Sequence, residues 1–172
     1  MKLKTTEKGF TLIELVVGLA IAAFVVGAAS MTTVTMMTLT PQNTDWAVAL
    51  RQVQNAGYWV SRDVQMSKGD ITVDTWPNAT FLTLTVPEWD SGAVSVVDKT
   101  FVYEFEDMSG GLKRLMRNNQ TDGEEIMVAE YISNAVANYD SGTLTLTITT
   151  SSGNTAVTRQ YEAIQRLPAP EP

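Results

Sequence analysis

The chain has 172 residues, of which 44% are hydrophobic, and its formal net charge is −7. This length suffices for one compact domain together with a membrane segment. Cysteine and histidine are both absent, which excludes disulfides, thiolate chemistry, Cys/His zinc sites and any mechanism that uses imidazole as a base. An enzyme is therefore disfavoured from the start, and we predict no catalytic residue, no resident metal and no cofactor.

Charge is distributed unevenly along the chain. Residues 1–9 hold three lysines against one glutamate, a net of +2, so the remaining residues carry −9. An acidic body argues against direct binding of nucleic acid, because phosphate contacts need clustered Lys and Arg. One basic cluster, Lys113, Arg114 and Arg117, is predicted to form the solvated face of a hairpin.

The first predicted element is a long apolar helix. No charged residue occurs between positions 15 and 44, and residues 10–29 supply the 20 apolar-rich positions that a bilayer core of about 30 Å requires. The lysines of residues 1–9 predict a cytoplasmic N-terminus, with the rest of the chain periplasmic or extracellular. Within the apolar run stands a single carboxylate, Glu14, which needs an explanation because a lone charge in hydrocarbon is costly.

A second helical segment is predicted after Pro41. The proline is expected to interrupt the first helix or to stand in the first turn of a renewed one. From position 46 the apolar residues recur at steps of four, three, four, three and four, which is one helical seam. The seam consists of Trp46, Leu50, Val53, Gly57, Val60 and Val64. Such a stripe is typical of a helix laid on a sheet and less typical of a coiled coil.

Beyond Gly69 the apolar period changes to two, which predicts strands. They are expected at residues 71–75, 81–86, 100–106, 112–117, 144–148 and 155–162. Residues 124–139 are ambiguous between a helical turn and strands. Glycine-containing turns separate several of these segments and predict hairpins.

The predicted fold class is therefore α+β, with a long N-terminal helix, half in membrane and half amphipathic, packed on an antiparallel β-sheet head. We expect a leader at residues 1–9 and a transmembrane or filament-core helix at 10–40. An amphipathic helix at 41–68, a β-rich head at 69–166 and a frayed tail at 167–172 complete the organisation.

The strongest motif lies in front of the apolar run. The segment Lys8-Gly9-Phe10-Thr11-Leu12-Ile13-Glu14 resembles the class III signal of type IV prepilins and pseudopilins. The resemblance implies cleavage between Gly9 and Phe10 by a prepilin peptidase and N-methylation of Phe10. It also implies a pilin-like fold, and assembly with other pilins or pseudopilins on an inner-membrane platform.

Physical chemistry agrees with that resemblance. A glycine before the cut lets the backbone enter a protease cleft where a Cβ would crowd. The amino group created at Phe10 is a cation one helical turn from Glu14, and a partner cation makes a carboxylate in an apolar segment tolerable. The family implies that Glu14 meets the amino terminus of a neighbouring subunit. From the residues alone, Glu14 reaching back to the cytoplasmic headgroups is an equal alternative.

Within this family the chain is most similar to minor pilins or J-type pseudopilins of type II secretion-like systems. It lacks the proline that major pilins commonly have at the position of Met31, and it lacks their C-terminal disulfide. The similarity rests on three groups of sequence segments, which are Arg62-Asp63-Val64-Gln65, Val102-Tyr103-Glu104-Phe105 with Leu112-Lys113-Arg114, and Arg159-Gln160-Tyr161. The presence of Glu14 argues against the most tip-ward member of a secretion assembly.

Several alternatives stay open. Cleavage within Ala28-Ala29-Ser30, with Ser30 as the new first residue, would make the apolar run an ordinary signal peptide. An anchored binding or enzymatic head is the competing function. Glu104 and Glu106 share a strand face, which would suit a carboxylate pair for acid catalysis, but they are expected to be solvated. A calcium site is less expected than a plain turn at the oxygen-rich segment that contains Asn118, Asn119, Asp122, Glu124 and Glu125.

Overall fold

One long helix and seven strands make up the described chain. The computed structural model describes residues 9–90, 92 and 94–166. Helix α1 spans Leu12–Met66. The strands are β1 (Lys68–Val73), β2 (Thr80–Asp90), β3 (Ser95–Asp107), β4 (Lys113–Asn119), β5 (Glu124–Asp140), β6 (Thr143–Ser152) and β7 (Thr155–Ile164). The predicted leader lies outside the described residues except for Gly9, and the predicted tail lies outside them entirely.

The interruption expected at Pro41 is not observed, since α1 is helical on both sides of it. Threonine hydroxyls just before the proline donate to carbonyls one turn back, from Thr40 to Met36 at 2.7 Å and from Thr38 to Val34 at 3.1 Å. Such bonds satisfy the threonine hydroxyls without leaving the helix. The helix continues although a proline lacks the N–H of the ladder and its ring crowds the carbonyl four residues before it. By its packing the chain divides into two units here, Met1–Pro41 and Gln42–Pro172.

The strands form one antiparallel sheet in simple sequence order, from β1 to β7. Residues 124–139, ambiguous from the sequence, belong to the 17-residue strand β5. The ambiguity has a structural cause, because the β5 register shifts between Ile132 and Asn134 against β6 and Tyr131 has a φ of +59°. Such a bulge breaks the strict alternation that identifies a strand from sequence. The sheet curls enough for β1 to contact β5.

The core lies between the second half of α1 and the concave face of the sheet. The predicted helical seam is confirmed at Val53, Val60 and Val64, which are fully buried together with Ala49 and Ala56. The sheet contributes the alternating faces that the sequence predicted, including Leu82 and Leu84 from β2, Phe101, Tyr103 and Phe105 from β3, and Leu144, Leu146 and Ile148 from β6. The α+β, pilin-like architecture is therefore confirmed. Trp46 departs from the seam prediction, since it is 50% exposed.

The basic cluster on β4 is not a solvated face, and that expectation is wrong. Arg117 is only 6% exposed, and its Nε donates to Asp63 Oδ2. Lys113 Nζ lies 2.6 Å from Asp107 Oδ1, and Arg114 pairs with a β3 carboxylate, Glu106. All three cations therefore have carboxylate partners on neighbouring elements.

Candidate functional site

The predicted cleavage bond lies in exposed, non-helical chain. Gly9 and Phe10 precede the first residue of α1, and the Phe10 side chain is 87% exposed. The space beside the Gly9 Cα is open to at least 4 Å. A peptidase must bind extended backbone on both sides of the bond it cuts, and helix hydrogen bonds would have to be broken first. Nothing among the described residues obstructs this bond.

Thr11 and Glu14 form a capping box at the start of α1. The Glu14 Oε2 atom accepts hydrogen bonds from the Thr11 backbone N–H at 3.0 Å and from the Thr11 hydroxyl at 2.8 Å. In return the Glu14 N–H donates to Thr11 Oγ1 at 3.4 Å. Reciprocal bonds of this kind satisfy N–H groups that have no partner within the helix.

The charge pattern of the sequence alone does not reveal this capping role of Glu14. The signal for it was present, because Thr-x-x-Glu before an apolar run is a capping-box pattern. Both side-chain contacts fall on Oε2, so Oε1 has no hydrogen-bond partner among the described residues. The structure thus explains how a carboxylate is held at the first turn, while one of its oxygens stays available to a further partner.

The first part of α1 is long and apolar enough to cross a membrane, and none of its most apolar window is buried. Large side chains point outward all around this part of the helix, for example Leu12, Val16, Leu19, Phe24 and Val25. A helix that is hydrophobic all round and uncovered has lipid or other apolar helices as its natural surroundings. Together with the motif before it, this segment is a single-pass membrane anchor.

A shallow depression on this anchor is lined by small residues and one aromatic ring. Its lining consists of Ala20, Ala23, Phe24, Gly27 and Ala28. Small side chains allow backbones to approach closely when helices associate in a membrane. The depression therefore suits close helix–helix contact.

The oxygen-rich segment considered for calcium is engaged in protein contacts. Lys99 Nζ lies 2.7 Å from Asp122 Oδ2, which also accepts a hydrogen bond from Asn119 Nδ2 at 2.8 Å. The hydrogen bond from Lys99 is the main cause that lowers the pKa of Asp122. Among the residues that the structure describes, no group of three or more His, Cys, Asp or Glu side chains is arranged to hold a metal ion.

The two strand carboxylates considered for catalysis do not form a pair. Glu104 Oε2 accepts a hydrogen bond from Asn118 Nδ2 at 2.8 Å, whereas Glu106 lies 3.7 Å from Arg114 Nε. Each carboxylate therefore has its own partner on β4. Their contacts are those of a cross-strand ladder.

Comparison with protein families gives one match. A family model described as the prokaryotic N-terminal methylation motif matches residues 4–30. This range contains the predicted cleavage bond, the capping box and most of the apolar run. Neither the curated proteins nor the solved structures gave a match to the chain.

Proposed function

We propose a function from the premise that this chain is a type IV prepilin-like protein. The proposed function is that of a structural subunit, a minor pilin or pseudopilin, of a type IV pilus or type II secretion-like filament. Prepilin peptidase cuts between Gly9 and Phe10 and methylates Phe10, and the processed chain assembles through α1. The head lies on the periplasmic or extracellular side of the cytoplasmic membrane.

The observation that carries the proposal is the uncovered apolar helix directly behind the motif. None of its most apolar window is buried within the chain. Its apolar surface can therefore be kept from water only by lipid or by other apolar helices. A filament core built from such helices meets this requirement after the subunit leaves the bilayer. Gly9 and Phe10 are exposed in front of it, as a peptidase substrate must be.

Glu14 fits an assembly role in this scheme. Cleavage after Gly9 leaves the Thr11 N–H in its amide bond with Phe10, so the capping box persists in the processed chain. Because capping uses Oε2, Oε1 stays available for an ammonium group, and the new amine of Phe10 on a neighbouring subunit is the partner proposed here. A charged pair of this kind fixes the register between helices, since a mispaired carboxylate in an apolar core is costly.

Assignment as a minor pilin or J-type pseudopilin rests on features of α1 and on the absence of cysteine. Position 31 holds methionine where major pilins commonly have proline, and the chain has no cysteine for a terminal disulfide. The phrase Arg62-Asp63-Val64-Gln65 that suggested this likeness lies in the last turns of α1. The proposed partners are the prepilin peptidase, other pilins or pseudopilins, the inner-membrane assembly platform and the membrane itself.

Mass spectrometry of the N-terminus tests the proposal. The full chain is co-expressed with a prepilin peptidase in a host membrane and then purified. We expect a chain that begins at N-methylated Phe10, and a matched Gly9→Val variant that keeps Met1 or Lys2 as its first residue. A wild-type chain that begins at Met1, or at Ser30 after ordinary signal-peptide cleavage, would overturn the proposal.

A further inference from the structure

An open groove lies between the helix and the last strand of the head. It has a volume of about 390 Å³, and its lining includes Gln54, Gly57, Tyr58, Arg62 and Gln65 from α1 and Tyr161 from β7. β7 is the last strand of the sheet, so the sheet ends beside this face of the helix. Tyr58 is 62% exposed there, so its ring adds accessible apolar surface to the groove.

The groove is flanked by the cations of the head that lack close carboxylate partners. Nine Lys and Arg residues occur between positions 9 and 166. Five of them are paired: Lys68 with Asp98, Lys99 with Glu88 and Asp122, Lys113 with Asp107, Arg114 with Glu106, and Arg117 with Asp63. The remaining four are Arg51, Arg62, Arg159 and Arg166.

Of these four arginines, Arg62 lines the groove, and the other three lie close in sequence or space to residues that line it. Arg51 precedes Gln54 by three positions on α1 and therefore lies on the same helix face. Arg159 stands two residues before Tyr161 on the same strand face. Burial raises the pKa of the Tyr161 hydroxyl, and the positive charge of Arg159 opposes that rise. The Arg166 N–H donates to the carbonyl of Gln65 at 3.3 Å.

Arg62 lines the groove directly, and its guanidinium stacks 4.9 Å from the Trp59 ring. Its Nε lies 4.0 Å from Asp63 Oδ1, at the limit of an ion pair, while Arg117 occupies the other oxygen of that carboxylate. The groove is therefore lined by the cation Arg62 and by two tyrosine rings, although the net charge of the head is strongly negative. Its complement is a segment that is both acidic and apolar.

The same chain presents such a segment at the start of β5, directly after the turn that follows β4. Residues 121–127 are all exposed. Glu124 and Glu125 have no ion-pair or side-chain hydrogen-bond partner among the described residues. Behind them, Ile126 and Met127 are 38% and 50% exposed. Side chains alternate along a strand, so Glu124 and Ile126 share one face of β5 and Glu125 and Met127 share the other. Each face therefore offers one carboxylate and one exposed apolar side chain to the arginines and tyrosines of the groove.

We propose that the groove receives residues 124–127 of a second copy of this chain. The contact joins two different surfaces, so it is heterologous, and heterologous contacts that do not close into a ring propagate as open helical arrays. The inference rests on the proposed filament function and assigns the head a share in subunit contact. Membrane anchoring favours this contact between two copies, because copies confined to one membrane meet at a high effective concentration.

Disulfide cross-linking tests the contact, because the chain has no cysteine of its own. Two full-length copies carry different tags. One copy has Ser61→Cys in the groove, and the other has Gln120→Cys beside the acidic segment. Both are reconstituted together in neutral-lipid vesicles and oxidised. We expect a mixed dimer on non-reducing gels. The matched control pairs Ser61→Cys with Asn138→Cys, an exposed position on β5, and should give only the background of random collision.

Charge reversal makes the test specific. Adding Arg62→Glu and Arg159→Glu to the groove copy should lower the cross-linked yield by roughly fivefold, the scale of a few exposed ion pairs. Adding Glu124→Arg and Glu125→Arg to the other copy should restore it, whereas Asp70→Arg with Asp140→Arg should not. About 1 M salt should also weaken the contact, because the screening length falls to about 3 Å.

A yield equal to that of the Asn138→Cys control, or one that charge reversal and its reciprocal leave unchanged, would overturn the proposal. Circular dichroism of each variant confirms that the head is folded, so a missing cross-link cannot be assigned to misfolding. N-terminal processing at Gly9 is read separately by mass spectrometry. A processed chain without cross-links would reject the groove contact and leave the filament proposal standing.

Discussion

Asp63 on α1 accepts a hydrogen bond from Arg117 on β4 at 2.5 Å, although the two residues are 54 positions apart in sequence. The Asp63 side chain is fully buried, and its Oδ2 also accepts a hydrogen bond from Tyr103 Oη at 2.7 Å. The Arg117 guanidinium lies 3.7 Å from the Phe101 ring centroid. One charge pair therefore ties the last turns of the helix to two strands of the sheet.

Removing the charge of Asp63 should strongly destabilise the head. We expect Asp63→Asn to lower the free energy of unfolding by about 3–5 kcal/mol, because Arg117 would keep a buried charge without a counterion. Thermal unfolding of the full chain in detergent, followed by near-ultraviolet circular dichroism, measures the change. Asp70→Asn at an exposed position is the matched control and should shift the unfolding temperature little. Equal shifts in the two variants would contradict the role assigned to the pair.

Tyr103 should give the head a distinctive alkaline instability. Burial and then the charge of Asp63 raise the pKa of Tyr103 well above its ordinary value of 10.0. The folded state thus binds this proton more tightly than the unfolded state does. Its contribution to stability is complete below pH 10 and is lost as the pH rises through the folded-state pKa.

The Tyr103→Phe variant isolates that contribution. At pH 7 we expect it to be less stable by about 1.5–3 kcal/mol, the range for a hydrogen bond to a charged group. Between pH 9 and pH 11, however, its unfolding temperature should fall less than that of the wild type. Unfolding curves at both pH values provide the comparison, and parallel losses in the two proteins would refute the assignment.

Gly57 should resist even the smallest substitution. A Cβ at this position would overlap the Tyr161 ring, whose hydroxyl donates to the Val53 carbonyl at 3.1 Å. Alanine normally stabilises a helix relative to glycine by about 1 kcal/mol. At Gly57 we expect the opposite sign, a loss of about 1–3 kcal/mol from overpacking. Denaturant titration of Gly57→Ala beside Ser61→Ala, four residues along the same helix face, tests this, and a stabilised Gly57→Ala would count against the packing.

Two substitutions at Glu14 separate helix capping from charge. Glutamine can still serve as the acceptor of a capping box but cannot neutralise an ammonium group, whereas leucine removes both properties. We expect Glu14→Leu and Glu14→Gln both to insert in the membrane and both to be poorly recovered in pulldowns with sibling pilins. Normal recovery of Glu14→Gln with loss of Glu14→Leu would show that capping, and not charge, is what assembly requires.

Lys99 should restrain the β2–β3 hairpin without adding much to global stability. Its Nζ lies 2.7 Å from Asp122 and 3.3 Å from Glu88, which joins the hairpin to the β4–β5 turn. We expect Lys99→Met to change unfolding by less than about 1 kcal/mol, as is usual for partly exposed pairs. Hydrogen exchange of residues 95–100 should nevertheless accelerate, while exchange in β6 should not. Equal exchange rates of residues 95–100 in the variant and the wild type would contradict the restraining role of Lys99.

Local chemistry made much of the fold readable from the sequence. The seam at Val53, Val60 and Val64 follows from helical periodicity, and alternation along β2, β3 and β6 follows from the two-residue period of a strand. The methylation motif and the apolar run are contiguous, so they too could be recognised directly. Even the Thr11–Glu14 capping box was accessible, since it depends on a spacing of three.

Other features depended on long-range partners and could not be read in the same way. Pro41 is a helix breaker by propensity, yet α1 continues through it. Strand β5 could not be recognised from the sequence, because the bulge near Tyr131 breaks the alternation of inward and outward residues along it. Arg117 looked solvated beside Lys113 and Arg114, since nothing local reveals that a helix carboxylate 54 positions away neutralises it.

The amino-acid sequence by itself determined the anchor, its processing motif and the alternation of core faces, because each depends on neighbours within a few positions. Only the tertiary structure decided which charges are buried and which remain free. The burial of Asp63 with Arg117, and the groove that Arg62 and Tyr161 line together, arise where α1 meets strands that are distant in sequence. Electrostatic pairing acts through space, and a single sequence records only the order of the residues along the chain.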